Sequence, residues 1–104
     1  MSHKKHLQDA HRRNMRWYIL SLADAGRVVG VSETTALRAL TDAKLTPTPS
    51  EIREEATYLE RRGLIKIDET GPEWGFTITA DGMDIVSYDE DCPSSIGRPE
   101  KHWD

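Results

Sequence analysis

The chain has 104 residues, 37% hydrophobic and 31% charged, enough for one domain with a single core under a broad solvated surface. It contains no run of about 18 apolar residues that would span a membrane, and its basic start, MSHKKHLQDAHRRNM, lacks the apolar stretch of a secretory signal. The net charge of −4 is unevenly spread: residues 1–30 carry six basic and two acidic side chains, and the other 74 carry eight basic and sixteen acidic ones. One end therefore suits a polyanion while the rest repels it. Cys92 is the only cysteine, so no internal disulfide can form and a reducing, cytoplasmic setting is expected.

The first helix is expected over Leu7 to Ala25, with Met15, Tyr18, Leu22 and Ala25 at helical spacing, Ile19 beside them and Gly26 as the stop. Trp17 and Leu20 lie off that stripe, so WYIL is apolar nearly all round and needs cover on two sides. A second copy of the chain is the expected second cover, which makes Trp17 and Leu20 a dimer interface; a C-terminal tail folded back is the alternative. GRVVGV, 26–31, reads as a short connection with a little extended structure.

Ser32 caps a second helix whose buried face is Ala36, Leu37 and Leu40, with Ala43 following. KLTPTPS is a turn, in which Pro47 and Pro49 push Thr46 and Thr48 toward extended conformations. A third helix is expected near Ser50, which can cap it, its stripe Ile52, Ala56 and Leu59, with Arg53 where a capping-box acid would sit and Glu51 or Glu54 complementing the dipole. Arg61 and Arg62 suit its end, Gly63 is the left-handed cap, and Leu64 packs back.

Alternation then takes over. Ile65 and Ile67, the turn DETGPE, and Trp74, Phe76 and Ile78 predict an antiparallel hairpin with one face on the core. Thr79 caps a short closing helix with Met83 and Val86 inward and Gly82 weakening it. Residues 1–88 form the expected domain; residues 89–104 read as an extended tail with Ile96 and Trp103 as its anchors.

IREEATYLERRGLIKI resembles the recognition helix of winged helix-turn-helix proteins running into the first wing strand, with Leu59, Gly63, Leu64 and Ile65 at matching places. FTITADGMDIV resembles the second wing strand entering the last helix, through Thr79, Ala80, Asp81 and Gly82. Together they cover about residues 30 to 88, and CPSSIGRP is similar to the tails of small winged-helix proteins of Mu-like phages. The resemblance implies an α+β fold: a three-helix core, a two-stranded β-wing and a short closing helix. It further implies a DNA-binding transcriptional regulator.

In such a protein the third helix enters the major groove and the second crosses the backbone. Arg53, Thr57 and Arg61 would then face the duplex, with Arg38, Thr34 and Thr35 as phosphate contacts and Arg12, Arg13 and Arg16 extending a positive stripe. Opposing this are Glu51, Glu54, Glu55 and Glu60 on the outward face of the third helix, and an acidic wing tip; carboxylates repel phosphate. The alternative is a protein-interaction or assembly module whose acidic face meets a basic partner, since fold does not settle function. No catalytic set is present. His3, His6, His11 and His102 lack the close spacing of a zinc site, and no cofactor is expected.

Overall fold

A computed structural model describes residues 2–27 and 29–101. The elements in chain order are α1 (Ser2–Ala25), β1 (Val31–Ser32), α2 (Glu33–Asp42), α3 (Pro49–Arg61), β2 (Ile65–Asp68), β3 (Gly75–Ile78) and α4 (Ala80–Val86). The fold is α+β, four helices around a three-stranded antiparallel sheet of order β1-β3-β2. No helix among the described residues is long and apolar enough to cross a membrane.

The expected hairpin is present, with Ile67 opposite Phe76 and Ile65 opposite Ile78. Ile52, Leu59, Ile65 and Phe76 share the interior, and Trp74 packs half-buried against it. The 26–31 connection contributes more than expected: Val31 and Ser32 pair with Phe76 and Gly75, adding a third strand.

Helix α1 starts earlier than predicted, and its buried stripe is turned. Met15, Ile19, Leu20 and Ala23 face the core, whereas Tyr18 is 40% exposed and Ala25 lies in solvent. An apolar segment accommodates two neighbouring stripes equally well by period, and only the elements packed on it select one. Leu20 is 0% exposed within its own chain, so its assignment to a dimer interface is wrong. Trp17 is half-buried, its ring edge-on to Tyr88 at 6.4 Å.

The second cover of α1 is the tail. Ile96 is buried in the core, and the Gly97 amide donates to the Arg13 carbonyl in mid-helix at 2.9 Å. Arg98 donates to the carbonyls of Ile85 and Glu90, and Tyr88 donates to that of Pro99. Residues 89–101 therefore belong to the domain and are not a free extension. Trp103, the other expected anchor, and His102 lie outside the described residues.

The N-cap of α3 lies two residues before the expected Ser50. Thr48 is the N-cap, Pro49 occupies the first turn, and the capping box closes through Glu51, whose carboxylate accepts from the Thr48 amide at 2.8 Å. Arg53 thus has no capping position to fill. Of the two threonines before prolines, Thr48 is extended, but Thr46 takes φ 46°, because the chain turns sharply there to bury Pro47.

Gly82 was expected to weaken α4, yet a Cβ there would sit 2.2 Å from the Leu64 carbonyl oxygen. Its lack of a side chain is what lets α4 close against the start of β2. Gly82 and Ile85 are the buried face of α4, with Met83 and Val86 only half-buried.

Candidate nucleic-acid interface

Helix α3 lies between α1, α2 and β2, and its stripe of Ile52, Ala56 and Leu59 is fully internal. Glu55 shares that stripe. Spaced 3 from Ile52 and 4 from Leu59, it sits as far into the interior as Ala56 does, and it is 1% exposed. A buried carboxylate needs partners. Glu55 has two: Arg12 Nε donates to Oε2 at 2.9 Å and Arg16 Nε to Oε1 at 2.7 Å. The two arginines stand four apart on α1, one above the other, which is why one carboxylate reaches both.

Arg16 is immobilised. Its Nη1 donates to the Ser95 carbonyl at 2.8 Å, its Cζ lies 3.7 Å from the Tyr58 ring centroid, and its side chain is 12% exposed. Arg12 is 50% exposed, and its hydrogen bond to Glu55 holds its guanidinium above the usual arginine pKa. Tyr58 hydrogen-bonds Ser95 and accepts from Arg62 Nε.

A second ion pair joins α2, α3 and the hairpin. Arg53 donates through Nε and Nη2 to the two oxygens of Glu33, both at 2.7 Å, while its guanidinium stacks 4.4 Å from the Trp74 ring. Glu33 also accepts from the Trp74 amide at 2.9 Å. The Arg53 hydrogen bonds, ahead of that amide, hold the Glu33 carboxyl below its usual range.

The remaining acids of α3 also have internal tasks. Glu51 closes the capping box, and Glu60 accepts from the Ile67 amide of β2 at 2.9 Å. Glu54 alone has neither a hydrogen bond nor an ion pair among the described residues. The expectation of four outward carboxylates is therefore corrected at Glu55, which is internal and doubly neutralised.

The expected contact residues divide into groups. Arg12, Arg53, Thr57 and Arg61 line one shallow groove with Glu54 and Tyr58. Thr57 donates to the Arg53 carbonyl at 2.7 Å, so its hydroxyl oxygen keeps only acceptor capacity. Arg13 and Arg16 lie in an adjoining hollow with Ser94 and Ser95. Thr34, whose amide donates to Glu73, and Thr35, whose amide is capped by Ser32, stand at the start of α2. Arg38 is exposed on α2, away from α3's groove.

Sequence reasoning missed Glu55, Glu33 and Ser95. For Glu55 a signal existed: it occupies the apolar stripe, and Arg12 and Arg16 repeat at helical spacing on α1. For Glu33 and Ser95 there was none, because their partners are distant in the chain. No protein-family model matches this chain, and no curated protein or solved structure shows significant similarity to it.

Proposed function

We propose that this chain is a winged helix-turn-helix protein of phage or prokaryotic type that binds double-stranded DNA as a non-catalytic regulator, without a cofactor. In this reading α2 and α3 are the helix-turn-helix, and β2 and β3 are the wing. One observation carries it. Glu55, one of the four acids expected to face outward, is buried between Arg12 and Arg16 and no longer repels a duplex, while Glu51 and Glu60 are held by main-chain amides and keep their charge. The exposed groove then presents Thr57 and the unpaired Arg61 beside Glu54, with Arg12 and Arg53 in its wall already paired to Glu55 and Glu33. Phosphate neutralisation supplies most duplex affinity, and this is the edge that has charge to offer.

The decisive test is a mobility shift on random duplex at low and high salt. Binding should appear at low salt and fade as salt rises, through counterion release. Arg61→Glu should weaken it and Glu54→Lys should strengthen it; both side chains are exposed and hold nothing else together. Absence of binding at low salt would sink the proposal. Reversal of Arg12 is a poor probe, since it would unpair Glu55.

The proposed regulator is a homodimer through α1, with the contact moved from Leu20 to the exposed Leu7 and Tyr18, which lie about three turns apart on that helix. Sedimentation equilibrium of the wild type and of Tyr18→Glu checks it; a monomer in both cases would remove the dimer.

The second reading, a module for a basic protein partner, draws on the exposed Asp68, Glu69, Asp89, Glu90 and Asp91. Asp68 and Glu69 disfavour phosphate contact at the hairpin tip in either reading. Charge reversal at Asp68 and Glu69 should leave duplex binding unimpaired if α3 docks, and should abolish capture of a basic protein if the hairpin does.

A further inference from the structure

Three of the six basic residues in the first thirty lie within one and a half turns of α1, and the tail is strapped beside them. Asp9, Arg12, Arg13, Arg16, Ser94 and Ser95 enclose a hollow on the α1 side away from the hairpin. Behind it, one buried carboxylate serves two guanidiniums, each through its Nε. Arg12 and Arg16 share Glu55, and Glu54 and Asp9 also act on Arg12, so the cation at the hollow without a carboxylate partner is Arg13. Arg16 is clamped on Tyr58 and on the Ser95 carbonyl, so its fork needs no ordering when an anion arrives. Arg13 has no ion pair among the described residues; only its main-chain carbonyl is engaged, by Gly97. Ser94 is exposed at the rim.

We infer that this hollow is a phosphate-binding site, in which Arg13 supplies the free fork, Arg12 and Arg16 the outer N–H groups of guanidiniums held at Nε by Glu55, and Ser94 a hydroxyl donor. Planar guanidinium forks match the oxygen spacing of a phosphate and grip it with paired, charge-assisted hydrogen bonds. Preorganisation of Arg16 cuts the entropy lost on binding. Asp9 stands at the edge and opposes the anion, which sets the site's affinity below that of an all-basic pocket. The phosphate is either free or part of a nucleic-acid backbone, and the site does not depend on α3 entering a groove.

The test follows the arginine Nε–H resonances by NMR during titration with inorganic phosphate, with sodium chloride at matched ionic strength as the control. Saturable shifts at Arg12, Arg13 and Arg16 with phosphate alone are expected. Arg13→Gln should weaken binding about tenfold, the loss of one forked contact, with the fold kept because its side chain holds no structural bond. Asp9→Asn should tighten it. A parallel titration with a short duplex separates the sources. Weaker duplex binding in Arg13→Gln assigns the site to backbone phosphate; unchanged duplex binding, with phosphate binding still weakened, assigns it to free phosphate. Non-saturable shifts equal to those in chloride, or no response to either substitution, mean an adventitious ion only and overturn the inference. Failure of Arg61→Glu to alter duplex binding bears on α3 and leaves this site standing.

Discussion

Glu55 shows how a single charged side chain can organise a small domain. It is buried on α3, and both its oxygens are satisfied by arginines from α1. Breaking a buried ion pair from one side leaves charges without partners, at about 3–5 kcal/mol. Glu55→Gln should cost near the lower figure, because Arg12 is half exposed and can turn to water; urea denaturation measures it. Arg12→Ala alone should cost under about 1 kcal/mol, as exposed partners do. A Glu55→Gln protein as stable as the wild type would show that the triad contributes nothing net. Gly82 is the steric counterpart. Replacement by alanine improves helix propensity by about 1 kcal/mol, yet its Cβ would meet main chain at Leu64. The clash should prevail, with a net loss of about 1–3 kcal/mol in thermal or chemical unfolding. A stabilised Gly82→Ala protein would mean that α4 shifts freely.

At the scale of elements, three helices end in the same way. After α2, α3 and α4 the chain takes a left-handed residue, at Lys44, Gly63 and Tyr88, with φ of 67°, 76° and 66°. The following amide reaches back to the carbonyl five residues earlier, as Leu45 to Leu40, Leu64 to Leu59 and Asp89 to Asp84. Only α3 uses glycine for this cap, and so only that helix end was legible in the sequence. Tyr88 tolerates the strain because its ring meets Trp17 and Arg98 and its hydroxyl holds Pro99. Lys44 is exposed and has no such compensation. Lys44→Gly should therefore raise stability by about 0.5–1 kcal/mol, the gain from relieved strain being partly offset by a freer unfolded chain. A lower melting temperature in that variant would contradict the assignment of strain. Thr48, Ser32 and Thr79 mark the opposite ends, and two of these three caps were readable directly. The third was displaced from Ser50 to Thr48 because Pro49 fits the first helical turn better than it fits a position before it.

For the whole molecule, long-range polar links tie the parts that hydrophobic packing brings together. Glu33 joins α2 to Arg53 of α3 and to the Trp74 amide. Its carboxyl is held below its ordinary value of 4.5, chiefly by the Arg53 hydrogen bonds. The folded state thus binds fewer protons than the unfolded state in the interval beneath that value. Stability from this source is complete above the unfolded value and is lost as pH falls through the folded one. Glu33→Gln should flatten the fall in melting temperature between about pH 5 and pH 3. Glu73 and Asp68, lowered by hydrogen bonds from Thr34 and Thr70, leave a residual slope of the same sign. An unchanged acid slope in Glu33→Gln would place the linkage elsewhere.

By itself the sequence determined what neighbours along the chain can decide: helices, hairpin, the α3 stripe and most caps. Such signals act within a turn or two, through hydrogen bonds and steric limits that adjacent residues impose on one another. Tertiary structure alone decided which face of α1 is internal, that Leu20 is buried within its own chain and the tail docks on α1 at Arg13, and that β1 joins the sheet. It also decided that arginines expected to reach outward are spent on Glu55 and Glu33. The reason is physical: burial and ion pairing depend on which segments meet in space, and partners as far apart as Arg16 and Ser95 leave no local trace of each other.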